Sequence, residues 1–255
     1  MKAIIIAILL SLSFLRLSAQ KFESEASKRG IPNLPNFEYE KLHFGFLVGF
    51  NVLDYHIYNT GLPIPDLTEA TSVGNRSAAV EPEILYADIK ELNPGLNLGI
   101  VTDLRIYNDL NLRCLPGISF GQRDVTFINQ YGELYGDKKL KIKSTFIEVP
   151  FLLKYSAFRI KNAKPYVVAG TSFRYDLAKD KQNHMNIKSF DNYLDAGAGF
   201  DFYLPYFRMS IELRGSFGLR NIYKNSRATE IEDIPYRNAI DCLKSRWYGI
   251  TFYFE

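Results

Sequence analysis

The stretch 192–221, NYLDAGAGFDFYLPYFRMSIELRGSFGLRN, decides the fold. Taken every second residue, one face reads Leu194, Ala196, Ala198, Phe200, Phe202 and Leu204, and the other Tyr193, Asp195, Gly197, Gly199, Asp201 and Tyr203. After the Pro205-Tyr206 corner the alternation resumes. Met209, Ile211, Leu213, Gly215, Phe217 and Leu219 fall on one side, and Ser210, Glu212, Arg214, Ser216, Gly218 and Arg220 on the other. Successive side chains of a strand point to opposite faces, so this period predicts a hairpin with one apolar and one polar face. The polar face mixes very small residues with charged ones.

Working outward, the same alternation predicts six more strands, at about 41–55, 95–106, 112–128, 142–157, 165–176 and 245–254. The third is the least regular, because Pro116 removes a ladder donor and suggests a bulge or a strand end. The connections at about 56–93, 129–141, 178–191 and 222–244 are long, whereas those after the second, fourth and sixth strands are short. Such sorting predicts an all-β chain, an eight-stranded antiparallel up-and-down transmembrane barrel closed by pairing the first strand with the last. Both termini then lie on the side of the short turns, the periplasm.

Alternation alone does not say which face looks inward; the charges do. The polar face carries Arg105, Arg113, Arg123, Lys154, Arg174, Arg214 and Arg220 against Asp103, Glu148, Asp176, Asp195, Asp201 and Glu212. An eight-stranded barrel is only wide enough for side chains to fill it. These seven bases and six acids are therefore expected to pair across a closed lumen. The apolar face, including Phe44, Phe46, Phe50, Phe151, Phe200, Phe202, Ile211, Leu213, Phe252 and Phe254, is expected to meet lipid, with aromatic rings as interface girdles.

Lys2, an apolar run over residues 3–12 and small residues up to Ala19 have the form of a secretory signal, which places cleavage after residue 19. Residues 20–40 are polar, hold two prolines in NLPNF and IPN, and read as a periplasmic N-terminal segment. The barrel then occupies 41–255. The whole chain of 255 residues has a net charge of +3. Without Lys2 and Arg16 it has 29 bases against 28 acids, so no nucleic-acid partner is expected. Cys114 and Cys242 have no metal-ligand spacing around them, although export would permit them to pair.

The sequence has no HExxH, P-loop or paired CxxC. His43, on the inner face, could work with Asp201 or Glu212, but a histidine at a barrel mouth is more often a hydrogen-bonded lumen residue. His56 and His184 are expected in loops. Asp195 and Asp201 lie about 20 Å apart along one strand, too far to share a bond-cleaving step. Asn75-Arg76-Ser77 matches the short glycosylation acceptor, a pattern that arises often by chance. Neither a cofactor nor a metal is expected.

Residues 33–51 (NLPNFEYEKLHFGFLVGFN), 146–155 (FIEVPFLLKY) and 164–178 (KPYVVAGTSFRYDLA) resemble the PorT family of Bacteroidota, called SprT in gliding species. The likeness covers nearly the whole mature chain. It implies an outer-membrane barrel required for type IX protein secretion, and for gliding where that occurs, with secretion-system proteins and outer-membrane lipid as partners. Two other readings compete: an outer-membrane barrel enzyme that modifies lipid or cleaves protein using His43, and a structural or adhesion barrel whose loops bind extracellular ligands.

Overall fold

A computed structural model of the protein describes residues 33–61, 84–129, 131–132, 140–177, 187–223 and 239–255. The signal segment, its cleavage site, the Asn75 motif and His184 lie outside them. A short 3-10 turn, Phe37–Tyr39, precedes ten strands: β1 (Leu42–Asn59), β2 (Leu85–Leu92), β3 (Pro94–Tyr107), β4 (Leu110–Cys114), β5 (Gly117–Asn129), β6 (Leu140–Ser156), β7 (Ala163–Asp176), β8 (Phe190–Tyr203), β9 (Arg208–Gly218) and β10 (Ile240–Phe254).

All pairings are antiparallel, and β1 pairs with both β10 and β3, which closes the sheet into a ring. The ring has eight members, not ten, for two reasons. First, β4 and β5 are one strand interrupted at Leu115-Pro116. Cys114 faces Phe151 and Gly117 faces Glu148, so the register is unchanged across the break. Two prolines meet there, and Leu115 still donates its N–H to the Pro150 carbonyl at 3.0 Å. Proline has no N–H to give to a ladder, so the regular hydrogen-bond pattern lapses while the wall stays whole. Second, β2 continues β3 upward beyond the Asn93-Pro94 junction.

That continuation corrects the expected loop at 56–93. β1 runs on to Asn59, with His56 inside it, and residues 85–92 form a strand on β5. The expected loop at 222–244 is likewise shortened, because β10 begins at Ile240. These extra residues alternate as strands do, but their apolar row (Leu85, Ala87, Ile89, Leu243) faces inward and the outward one mixes Asp54, His56, Asp88 and Lys244 with Tyr58 and Tyr86, so no outward apolar row marks them.

The opening hairpin forms as its period predicts, with Phe200 facing Ile211 and Tyr203 facing Arg208. Its apolar row looks outward: Phe200 is 53% exposed and Leu213 60%. Phe44, Phe46, Phe50 and Phe151 are also exposed, while Phe202, Ile211, Phe252 and Phe254 lie half-buried among outward neighbours. Phe46 stacks on Phe254 with ring centroids 4.9 Å apart, and Phe207 lies 6.2 Å from the same ring. In water such a surface would cost about 25 cal/mol per Å² of apolar area, so this shape requires a hydrocarbon solvent. Among the described residues no helix is long and apolar enough to cross a membrane; the crossing is made by strands.

Candidate functional site

The interior is the part of the molecule with chemistry in it, and it is layered. At the end of the short turns, three side chains from two strands converge on Asp103. Arg113 donates to it through Nε at 3.1 Å, Arg208 at 3.0 Å and Asn111 at 2.5 Å. Arg113 also reaches Glu212 at 3.4 Å and lies 3.6 Å from Glu255. Glu212 accepts from the Tyr166 hydroxyl at 3.1 Å and the Tyr253 hydroxyl at 2.7 Å. Lys154 donates to Asp201 at 2.5 Å, and Ser210 supplies that carboxylate's other oxygen with a bond of 2.6 Å. Each buried charge in this layer therefore meets an opposite charge, and Lys154 also lies 4.0 Å over the Tyr166 ring, the kind of pairing under which ions survive out of water.

Above this layer, aromatic faces replace some carboxylates. Arg174 bonds Glu148 at 2.9 Å and sits 4.3 Å over the Tyr193 ring and 4.9 Å from Trp247. Arg214 lies 5.0 Å from the same indole. Glycine makes this stacking possible. A Cβ on Gly249 would stand 2.4 Å from the Trp247 ring, and one on Gly199 2.6 Å from the Tyr166 phenol. Small residues interleaved with charged ones on the polar face are thus the seats of large rings, from the same strand for Trp247 and from the neighbouring strand for Tyr166.

Higher still, Arg123 is held by the Tyr55 hydroxyl (2.7 Å), Ser245 (2.8 Å) and Ser144 (3.3 Å). Beyond it the lumen turns apolar. Tyr55, Leu85, Val125, Phe127, Ile142, Ile222, Ile240 and Leu243 form a buried cluster at the loop end. Sequence reasoning misses this cap, because many of its members come from strand extensions that read as loops.

The opposite mouth is stoppered by the segment before β1. Phe37 stacks on His43 at 4.0 Å and 7°, and lies under Arg208 at 4.7 Å. The Glu38 side chain accepts from the Tyr203 hydroxyl at 2.8 Å, while Arg105 donates to the backbone carbonyls of Glu38 and Tyr39. Asn33 donates its N–H to Asn162 at 3.0 Å, and Arg159 binds the Asn33 carbonyl.

Of the thirteen charges expected in the lumen, ten are buried there: Asp103, Arg113, Arg123, Glu148, Lys154, Arg174, Asp195, Asp201, Glu212 and Arg214. Three are not. Arg220 is exposed, because β9 ends at Gly218 and the chain has left the wall. Arg105 lies at the rim, drawn onto the 3-10 turn. Asp176, the last residue of β7, is half-buried and accepts the Thr145 N–H at 3.2 Å. Two members are not foreseen by the alternation: Arg208, placed beside the corner by its sequence position, and Glu255, whose side chain turns in to meet Arg208 and Arg113.

His43 is buried, stacked on Phe37 and 3.9 Å from Glu40. The acids considered for it are bonded elsewhere, Asp201 to Lys154 and Ser210, and Glu212 to Arg113, Tyr166 and Tyr253. Cys114 and Cys242 are both free thiols. Among the described residues no group of His, Cys, Asp and Glu could hold a metal ion.

Two solved structures resemble the chain at low identity. OprG of Pseudomonas aeruginosa is 13% identical, with a TM-score of 0.41 over 84% of this chain and 96% of that one. Ail, the attachment invasion locus protein of Yersinia pestis, is 12% identical, with a TM-score of 0.34 over 84% and 98%. No curated protein matches the sequence. The model of the outer membrane protein beta-barrel domain matches residues 19–224, and the chain, a lipid-faced barrel of the outer membrane, belongs to that family.

Proposed function

We propose that this barrel is a non-enzymatic component of type IX protein secretion that acts by holding partner proteins rather than by conducting cargo. The observation that carries this reading is the filled lumen. Paired charges, the Trp247 layer and an apolar cap occupy the axis in turn, and Phe37 stoppers one mouth. A folded or unfolded polypeptide has no way through, so a secretion role must be exerted on the rim and the outer surface. The likeness of residues 33–51, 146–155 and 164–178 to the PorT family supplies the link to secretion. The segment 33–40, pinned across the mouth, and the long loops are the surfaces available for partners.

Deleting the gene and following a cargo with a C-terminal sorting domain tests the proposal. Cargo retained in the periplasm is the expected result, restored by the full chain in trans. Normal secretion by the deletion strain contradicts it.

A further inference from the structure

The wall is not closed along its full height. β1 and β3 are laddered from Leu42–Leu104 up to Val52–Pro94, and there the ladder stops. Among the described residues, β1 continues to Asn59 on β10 alone, and β2 continues on β5 alone. Between these two edges lies a cavity of about 510 Å³ lined by Asp54, Tyr55, His56 and Asn59 on one side and Ala87, Asp88 and Ile89 on the other.

The two edges still face each other in register. Arg105 donates its N–H to the Lys41 carbonyl, so the odd-numbered residues of β1 and β3 turn their peptide groups toward one another. Carried upward, that register sets Ile57 opposite Ile89 and Asn59 opposite Ala87. Peptide groups of both strands therefore point into the seam, yet side chains occupy them. The Asp54 carboxylate takes the Tyr55 N–H at 2.8 Å, and the Asp88 carboxylate takes the Ile89 N–H at 2.8 Å. The Asn59 amide accepts the Ala87 N–H at 2.9 Å and donates to the Ala87 carbonyl at 3.3 Å. Asn59 thus makes both bonds that a neighbouring strand's peptide group would make. Unpaired strand edges attract other strands, and local carboxylates capping the donors hold that tendency in check.

The seam stands clear of the lipid. A strand needs about 9–11 residues to span the bilayer, and β1 has 18. Its outward row is apolar from Leu42 to Val52, charged or polar at Asp54 and His56, and ends at Tyr58, whose ring packs on His56. On β6 the outward residues at the same end are Lys141 and Lys143. A lipid chain is therefore the wrong occupant.

We infer that the seam between β1 and β2 is a docking site for an extended, lysine- or arginine-bearing segment of a partner protein, which adds as a strand as the two edges spread to about twice the ~4.8 Å strand spacing. Its carbonyls take over the Tyr55 and Ile89 donors, and its peptide groups displace the Asn59 amide. Asp54 and Asp88, released from their caps, then face the incoming segment as free carboxylates, and this selects basic side chains. The inference stands on the parted ladder alone. It survives normal secretion by a deletion strain, and its failure leaves the secretion reading where it was.

The test uses the full chain in detergent micelles and a fluorescent peptide of alternating lysine and valine, with a control peptide N-methylated at alternate residues. Saturable binding of the first peptide, at least tenfold weaker binding of the second, and slowed amide exchange confined to residues 53–59 and 85–92 are expected. The Asp54→Asn/Asp88→Asn variant, with folding checked by its heat-dependent migration on gels, should bind at least fivefold more weakly. Equal binding of both peptides, no saturable binding, exchange slowed elsewhere, or doubling of the protein's mass by self-pairing of the seam would each overturn the inference.

Discussion

Lys154 and Asp201 show what one residue does in this interior. Both are almost wholly buried and meet at 2.5 Å, so removing one leaves the other as an uncompensated ion. Lys154→Met should destabilise the barrel by about 3–5 kcal/mol, and adding Asp201→Leu should recover much of that loss. Trp247, the single tryptophan and fully buried, reports the transition by fluorescence during urea unfolding in vesicles. Additive losses in the double variant would show that the two residues are not a pair. Gly249 tests packing in the same interior. Gly249→Val drives a side chain into the indole from 2.4 Å, and a loss of about 1–3 kcal/mol with a shifted Trp247 emission is expected. A variant as stable as the parent would mean that the ring is not seated there. Arg214 and Asp195 stand apart from these. Two nitrogens of the first and both carboxylate oxygens of the second lack a direct hydrogen-bond partner. Buried groups of this kind are normally bridged by ordered water.

At the scale of elements, the 3-10 turn Phe37–Tyr39 does more than lead into β1. It stoppers one end of the barrel by a stack, a ring-over-guanidinium contact and three hydrogen bonds from Arg105 and Tyr203. Phe37→Ala should leave the strands intact but expose His43, which then reacts with diethylpyrocarbonate at least several-fold faster. Unchanged reactivity would place the phenylalanine outside the mouth. This element is only half legible in the sequence: polarity and prolines mark residues 20–40 as lying outside the wall, but nothing periodic in NLPNFEYE says where Phe37 packs. The hairpin of β8 and β9 is legible in full, because lipid on one side and ions on the other leave a period of two in every residue. β2 is not, since its apolar residues Leu85 and Ala87 face inward to the cap, the reverse of the membrane rows, and its outward side mixes Tyr86 with Asp88. Pro116 reads as a bulge or strand end, and the break is there. What one strand cannot reveal is that Pro150 of β6 faces the same gap and that the register runs through it. Arg220 fails for the opposite reason: its parity is right, but the strand has already ended.

For the whole molecule, the barrel is inverted: hydrocarbon meets the outer rows and paired ions close around the axis. The filled axis predicts that the protein inserted in planar bilayers gives no stable ohmic conductance, with or without residues 33–40, because the salt-bridged and Trp247 layers lie behind the Phe37 stopper. Steady channels of uniform size would mean an open lumen. The direction of the wall is tested most directly by single nitroxide labels in liposomes at Phe200→Cys, Ile211→Cys and Phe252→Cys, with Cys114 and Cys242 replaced by serine. Frequent collisions with oxygen and few with a water-soluble nickel chelate are predicted at all three. Labels that meet neither reagent, as in a packed core, or that meet nickel more than oxygen, would contradict it.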